Sequence, residues 1–170
     1  MPLKNNLKHW KIDVNSPEET RELGRNIGKL ALPGDIYLLV GQLGAGKTCL
    51  TQGIAWGLGI EEYTLSPSFV IMRELHGRLP LYHMDFYRLD NINEIADLGL
   101  DDYLYGRGVC VIEWAEKGMD ILPDDHLLVK IRYISDGSRS FEFIPKGERY
   151  LALLEQVRKS FTSKAREQEC

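Results

Sequence analysis

Gly41-Gln42-Leu43-Gly44-Ala45-Gly46-Lys47-Thr48 satisfies G-x-x-x-x-G-K-[ST] and directly follows the apolar run Ile36-Tyr37-Leu38-Leu39-Val40. Residues of these types at this spacing bind phosphate. Gly41, Gly44 and Gly46 carry no side chain to block a phosphate chain from the backbone, and successive N–H groups can then form a concave anion site. Lys47 supplies a point charge for the β- and γ-phosphates. The Thr48 hydroxyl is the expected ligand for the Mg²⁺ that accompanies a nucleoside triphosphate. The competing reading is a glycine-rich turn before a helix. Chance coincidence of the four fixed positions in a chain of this length is below about 1 in 100, and the flanking strand and helix patterns are those the motif needs.

A phosphate loop alone binds. Hydrolysis or transfer also calls for an acid beside the metal, at the carboxyl end of a neighbouring buried strand. Two residues compete for that place. Glu113 follows the uniformly apolar Val109-Cys110-Val111-Ile112, whereas Asp85 follows the more mixed Leu81-Tyr82-His83-Met84. Glu113 is therefore favoured as the metal-side acid, and Asp85 as an acid that supports the metal or orients water. Either could instead be an exposed acid at a strand end. The expected catalytic set is Lys47, Asp85 and Glu113, with Thr48 and Glu113 on the metal.

Ser66-Pro67-Ser68-Phe69 falls where phosphate-loop hydrolases carry a switch segment with a hydroxyl near the γ-phosphate, although taken alone it is only a turn. Ser66, Ser68 and Cys49 join residues 41–48 as expected nucleotide contacts. Arg88 is a candidate charge-stabilising arginine or a surface partner of Tyr87. His83 shares a strand face with Asp85 and reads as a structural histidine. Trp114 is a lid, a contact surface or core, and periodicity does not choose.

These residues must be positioned by a small set of elements. Ser16-Pro17-Glu18-Glu19 is a helix start with Ser16 as cap, and Leu23, Ile27 and Leu30 give that helix one buried face before Pro33-Gly34 ends it. Thr48 to Leu58 reads as the helix after the loop. Residues 65–74 and 79–87 are extended and flank a turn at His76-Gly77, as in a hairpin. Asn91 to Leu98 is a short helix stopped by Gly99. Residues 127–134 and 139–144 are strands around Asp136-Gly137, and Glu148 to Phe161 is a closing helix. The fold class expected is α/β: a three-layer P-loop NTPase with a mixed, largely parallel central sheet.

The 170 residues are enough for one core, so residues 1–161 are read as one domain and 162–170 as a polar tail. A net charge of −4 argues against gripping DNA or RNA through bulk positive charge. Cys49, Cys110 and Cys170 show no metal or disulfide spacing. With no signal-like start and no run of membrane-spanning length, a cytoplasmic protein without a membrane partner is expected.

Gly41 to Thr48, Ser66-Pro67-Ser68-Phe69, His83-Met84-Asp85-Phe86-Tyr87-Arg88-Leu89 and Glu113-Trp114 together resemble, in order, the TsaE family of small bacterial P-loop ATPases. The likeness extends from about Thr20 to Arg139. It implies ATP and Mg²⁺ as ligands and the TsaB and TsaD proteins as partners. That pair modifies the adenosine next to the tRNA anticodon with threonylcarbamoyl, so tRNA would be met only through the complex. By the same likeness, Thr48 and Glu113 hold the metal and Asp85 supports hydrolysis. The chain departs from the family pattern at Ser68 and Cys49, where threonine is usual. A small-molecule kinase would need an arginine-bearing lid, and Arg107, Arg132 and Arg139 are scattered without one. A nucleotide-gated module with negligible turnover is the other alternative. A GTPase is disfavoured because no Asn-Lys-x-Asp motif is present.

Overall fold

A computed structural model describes residues 9–64, 66–67 and 70–168, with side chains through Thr162. Ser68 and Cys170, both singled out above, lie outside the described residues. The strands are β1 (Trp10–Val14), β2 (Ile36–Val40), β3 (Met72–His76), β4 (Pro80–Asp85), β5 (Val109–Glu113), β6 (His126–Ser135) and β7 (Ser138–Lys146). The helices are α1 (Pro17–Leu30), α2 (Lys47–Gly57), α3 (Ile92–Asp97), α4 (Asp101–Leu104) and α5 (Glu148–Gln168).

One sheet carries all of these strands in the order β1-β7-β6-β2-β5-β4-β3. The central pairings β6–β2, β2–β5 and β5–β4 are parallel, and the outer ones are antiparallel. β1, β6, β2, β5 and β4 consequently run one way and β7 and β3 the other, which is the mixed, largely parallel sheet expected.

Alternation along the strands divides the core into two. Tyr37, Leu39, Val109, Val111, Leu127 and Val129 face α1, α2 and α5, while Ile36, Leu38, Met84, Cys110 and Ile112 face α3 and α4. Helices on both faces complete the three-layer α/β fold of P-loop NTPases. Among the described residues no helix is long and apolar enough to cross a membrane.

The local signals act as read. The Ser16 hydroxyl accepts from the Glu19 amide at 3.1 Å, with Pro17 in the first turn of α1. β3 and β4 form the hairpin, but β3 begins only at Met72, because the Val70 and Ile71 amides turn back to the Pro67 carbonyl. The short helix expected from Asn91 is α3, with Asn91 as its cap through the Glu94 amide, and β6 and β7 turn around Asp136-Gly137. Two elements carried no readable signal. β1 is an edge strand whose exposed Lys11 and Asp13 alternate with residues turned to the core, and α4 is too short to show a period. α5 continues to Gln168 instead of closing near Phe161, because Lys164, Ala165, Arg166, Glu167 and Gln168 are all good helix formers.

The strand that leads into the phosphate loop is tied down at its start. Arg149 on α5 donates to both carboxylate oxygens of buried Asp35, at 3.0 and 2.7 Å, and the Tyr37 hydroxyl donates to the same group at 2.7 Å. Tyr150 accepts from the Ile36 amide at 2.8 Å, and burial pushes its phenol up to about 12. β2 is thus clamped to α5 by charge-assisted bonds inside the fold.

Candidate nucleotide site

Residues 41–46 leave the carboxyl end of β2 and turn into α2, whose cap is Gly46 with φ of 113°. A side chain would strain that backbone, so glycine is needed there. Gly41 is required for a different reason. A Cβ on it would lie 2.6 Å from the Ile131 carbonyl oxygen of β6.

Lys47 opens α2 with its ammonium turned back over the loop. It donates to the Gly41 and Gln42 carbonyls at 2.5 and 2.9 Å and stands 4.2 Å from the centre of the Trp114 ring. Burial lowers its proton affinity, and Glu113, Glu116 and Asp85 work in the opposite direction.

Parallel pairing of β4 and β5 sets Asp85 opposite Glu113, both buried at the carboxyl edge beside β2. The two acids that competed in the sequence are therefore neighbours, and their partners separate their roles. Glu113 faces the loop: its Oε1 accepts from Thr48 Oγ1 at 2.9 Å. Asp85 faces the other wall, where it accepts from the Ser66 hydroxyl and, at 2.8 Å, from the Tyr87 amide.

Leu43 to Cys49, Ser66, Asp85, Tyr87, Glu113 and Trp114 line one cavity of about 350 Å³. Gly41 and Gln42 do not line it. They border a neighbouring trough with Lys11, Lys130 and Arg132 and bear on the phosphate cavity through the Lys47 bonds. Arg88 is exposed and is not part of the lining.

Trp114 resolves as a wall of the cavity mouth. Its backbone is left-handed at φ 56°, ψ 38°, a conformation that costs a non-glycine residue about 1–3 kcal/mol. This turn at the end of β5 places the ring over Lys47 and against Tyr87, with 4.9 Å between ring centres.

Three residues gain a part that sequence reasoning missed. Arg139, one of several scattered arginines in the sequence, donates to the Ala45 and Gly44 carbonyls at 2.8 and 3.2 Å and to the Ser135 and Ser138 carbonyls at 2.9 Å. It fastens the phosphate loop to the β6–β7 turn by satisfying carbonyls of both. Gln52 of α2 accepts from the Thr64 amide at 2.6 Å and donates to the Glu62 carbonyl at 3.1 Å, which anchors the segment leading to Ser66. His83 contacts Glu113 through Nε2. Only for His83 did the sequence hold a signal, its two-residue spacing from Asp85.

The chain matches the family model described as threonylcarbamoyl adenosine biosynthesis protein TsaE over residues 14–141. It belongs to the TsaE family. The tRNA threonylcarbamoyladenosine biosynthesis protein TsaE of Bacillus subtilis (strain 168) is 43% identical over 152 residues, 89% of this chain and 95% of that protein. The TsaE of Treponema pallidum (strain Nichols) is 44% identical over 124 residues, 73% of this chain and 92% of its own. The crystal structure of YdiB from Bacillus subtilis superposes with a TM-score of 0.79 at 39% identity, covering 90% of this chain and 96% of that one. Family membership assigns the chain to threonylcarbamoyladenosine biosynthesis, a tRNA-processing pathway, and the phosphate loop fits nucleotide binding within this TsaE fold.

Cys49, where the TsaE likeness led us to expect threonine, turns toward α1. Its thiol donates to the Pro17 carbonyl at 3.5 Å and receives Arg21 Nη1 at 3.7 Å, and burial raises its pKa. A threonine hydroxyl can make the same carbonyl bond. Cys49→Thr is therefore expected to change unfolding free energy by no more than about 0.5 kcal/mol and to leave nucleotide affinity unchanged. A denaturant melt and a nucleotide titration check both, and a large affinity change would assign position 49 to ligand contact.

Proposed function

We propose that this chain binds ATP with Mg²⁺ and hydrolyses it slowly, in support of a TsaB–TsaD pair that places threonylcarbamoyl on the adenosine beside the tRNA anticodon. The observation that carries this reading is the Thr48–Glu113 contact at 2.9 Å, which brings the hydroxyl at the start of α2 to the acid at the end of β5. Both are hard oxygen donors. Among the described residues no group of three or more His, Cys, Asp or Glu is placed to hold a metal ion by itself, and Mg²⁺ beside a nucleotide uses one or two protein oxygens together with phosphates and water. Thr48 and Glu113 fit that requirement.

The metal, when bound, would neutralise charge developing on the phosphates. The chain's own residues do the rest. Residues 41–48 form the cradle, with Leu43 to Thr48 lining it, and Arg139 holds the Gly44 and Ala45 carbonyls. Lys47 exchanges its bonds to Gly41 and Gln42 for phosphate oxygens. Asp85, held by Ser66 and the Tyr87 amide, is a fixed acceptor for an attacking water, and Trp114 with Tyr87 shields the reacting end from solvent. Ser68 completes the proposed nucleotide contacts, which Cys49 joins through its backbone amide while its thiol faces α1. In this reading residues 1–161 are the working domain, residues 162–170 are an appendage, and the protein acts in the cytoplasm and meets tRNA only through its partners.

Glu113→Gln is expected to lower Mg²⁺-dependent hydrolysis about 100- to 1000-fold while Mg²⁺-free nucleotide binding persists, measured by phosphate release and by titration in chelator. Metal dependence that follows Asp85→Asn and ignores Glu113→Gln would reverse the two acids. Added TsaB–TsaD is expected to raise the hydrolysis rate, with complex formation stronger in an ATP analogue than in ADP. A fast intrinsic rate that the partners leave unchanged, with no complex in either nucleotide, would overturn the partnership. Consumption of ATP only with a small acceptor would identify a kinase, and no consumption in any mixture would identify a binding module.

A further inference from the structure

The His83 side chain is fully buried, and its one polar contact runs from Nε2 to Glu113 Oε2. No partner reaches its Nδ1 among the described residues. Packing alone would be served better there by an apolar side chain, since a buried ring nitrogen without a partner is a cost. The histidine must therefore repay that cost through the single bond it makes.

That bond goes to the carboxylate whose other oxygen accepts from Thr48. The register places His83 opposite Val111, two residues before the Asp85–Glu113 pair, so the contact runs diagonally across the two strands. An ionised carboxylate only accepts, which puts the proton on Nε2. Glutamate has a long, rotatable side chain. With Oε2 held by His83, Oε1 is left facing Thr48.

We propose that His83 is a positioning residue that locks the Glu113 carboxylate with Oε1 presented to Thr48, and so sets how tightly this site takes a divalent cation with its nucleotide. The inference rests on the reading of Thr48 and Glu113 as the magnesium side of the site. Groups that hydrogen-bond a metal ligand from behind alter metal affinity about 10- to 100-fold when removed.

The test uses the full chain and the fluorescent probe N-methylanthraniloyl-ATP, with binding followed as Mg²⁺ is titrated and again in chelator. His83→Leu is expected to raise the Mg²⁺ concentration at half-saturation about 10- to 100-fold and to leave binding in chelator unchanged. His83→Gln, whose amide nitrogen reaches the place of Nε2, is expected to recover most of that loss. His83→Asn, whose amide falls short, is expected to behave like leucine and provides the comparison if the leucine variant does not fold. Glu113→Gln run alongside separates the two failures. If it leaves the Mg²⁺ midpoint unmoved, the magnesium assignment falls and this inference with it. If Glu113→Gln moves the midpoint while folded His83→Leu and His83→Asn do not, or if His83→Gln is as impaired as they are, the positioning role alone is overturned.

Discussion

Lys47→Met yields a folded protein whose ATP hydrolysis falls about 100- to 1000-fold and whose nucleotide affinity drops sharply. The ammonium is the cation that bonds the loop carbonyls at 2.5 and 2.9 Å within the lining of the phosphate cavity. Methionine keeps an unbranched apolar stem and removes the charge together with its two hydrogen bonds. The fold should tolerate this, because burial lowers the Lys47 pKa, so the folded chain holds the charge at a cost that methionine removes.

The sign of the pH effect follows. With a folded pKa below the unfolded one, the unfolded chain holds this proton more firmly, so Lys47 detracts from stability at neutral pH. That penalty fades as pH rises through the lowered pKa toward 10.5. Lys47→Met should flatten this part of the stability profile. Phosphate release, a nucleotide titration and melts at neutral and alkaline pH check the set. Hydrolysis retained in a folded Lys47→Met protein would refute the phosphate-loop assignment.

The largest stability effect is expected away from the site, where α1 crosses α2. Gly24 and Gly28 on one helix and Gly53 and Gly57 on the other bring the two backbones together. A Cβ on Gly28 would lie 2.2 Å from the Ile54 carbonyl oxygen, and one on Gly53 would lie 2.1 Å from that of Arg21. In an open helix, glycine to alanine gains about 1 kcal/mol of helix propensity. Here the added methyl meets backbone that cannot rotate aside, and overpacking costs about 1–3 kcal/mol or more. Overpacking wins. Gly28→Ala and Gly53→Ala should each lower stability, and the melting temperature falls about 2–4 °C for each kcal/mol lost. Gly53→Val should lower it further. Nucleotide affinity should fall as well, since α2 begins at Lys47 and a displaced helix carries the loop with it. A melting temperature equal to or above that of the parent protein would refute the close-crossing account.

These glycines mark where sequence reading stops. As residues in a string they look like punctuation. Their purpose appears only when the partner backbone is in place. The same holds for Arg139, whose donors are spent on a loop 94 residues earlier in the chain.

What the sequence determined by itself is whatever depends on adjacent residues: the phosphate loop, the Ser16 and Asn91 caps, the apolar run of β5 and the turns at His76-Gly77 and Asp136-Gly137. In each case local sterics and hydrogen bonding decide the backbone, so a short window holds the information. Tertiary structure alone decided that β4 pairs with β5 in the register that puts Asp85 against Glu113, that Glu113 and not Asp85 turns to Thr48 across 65 residues, and that His83 closes on the far oxygen of the same carboxylate. Those contacts come from strand pairing and helix crossing at long sequence separation, where shape and buried hydrogen bonds select the partner and no local propensity records it.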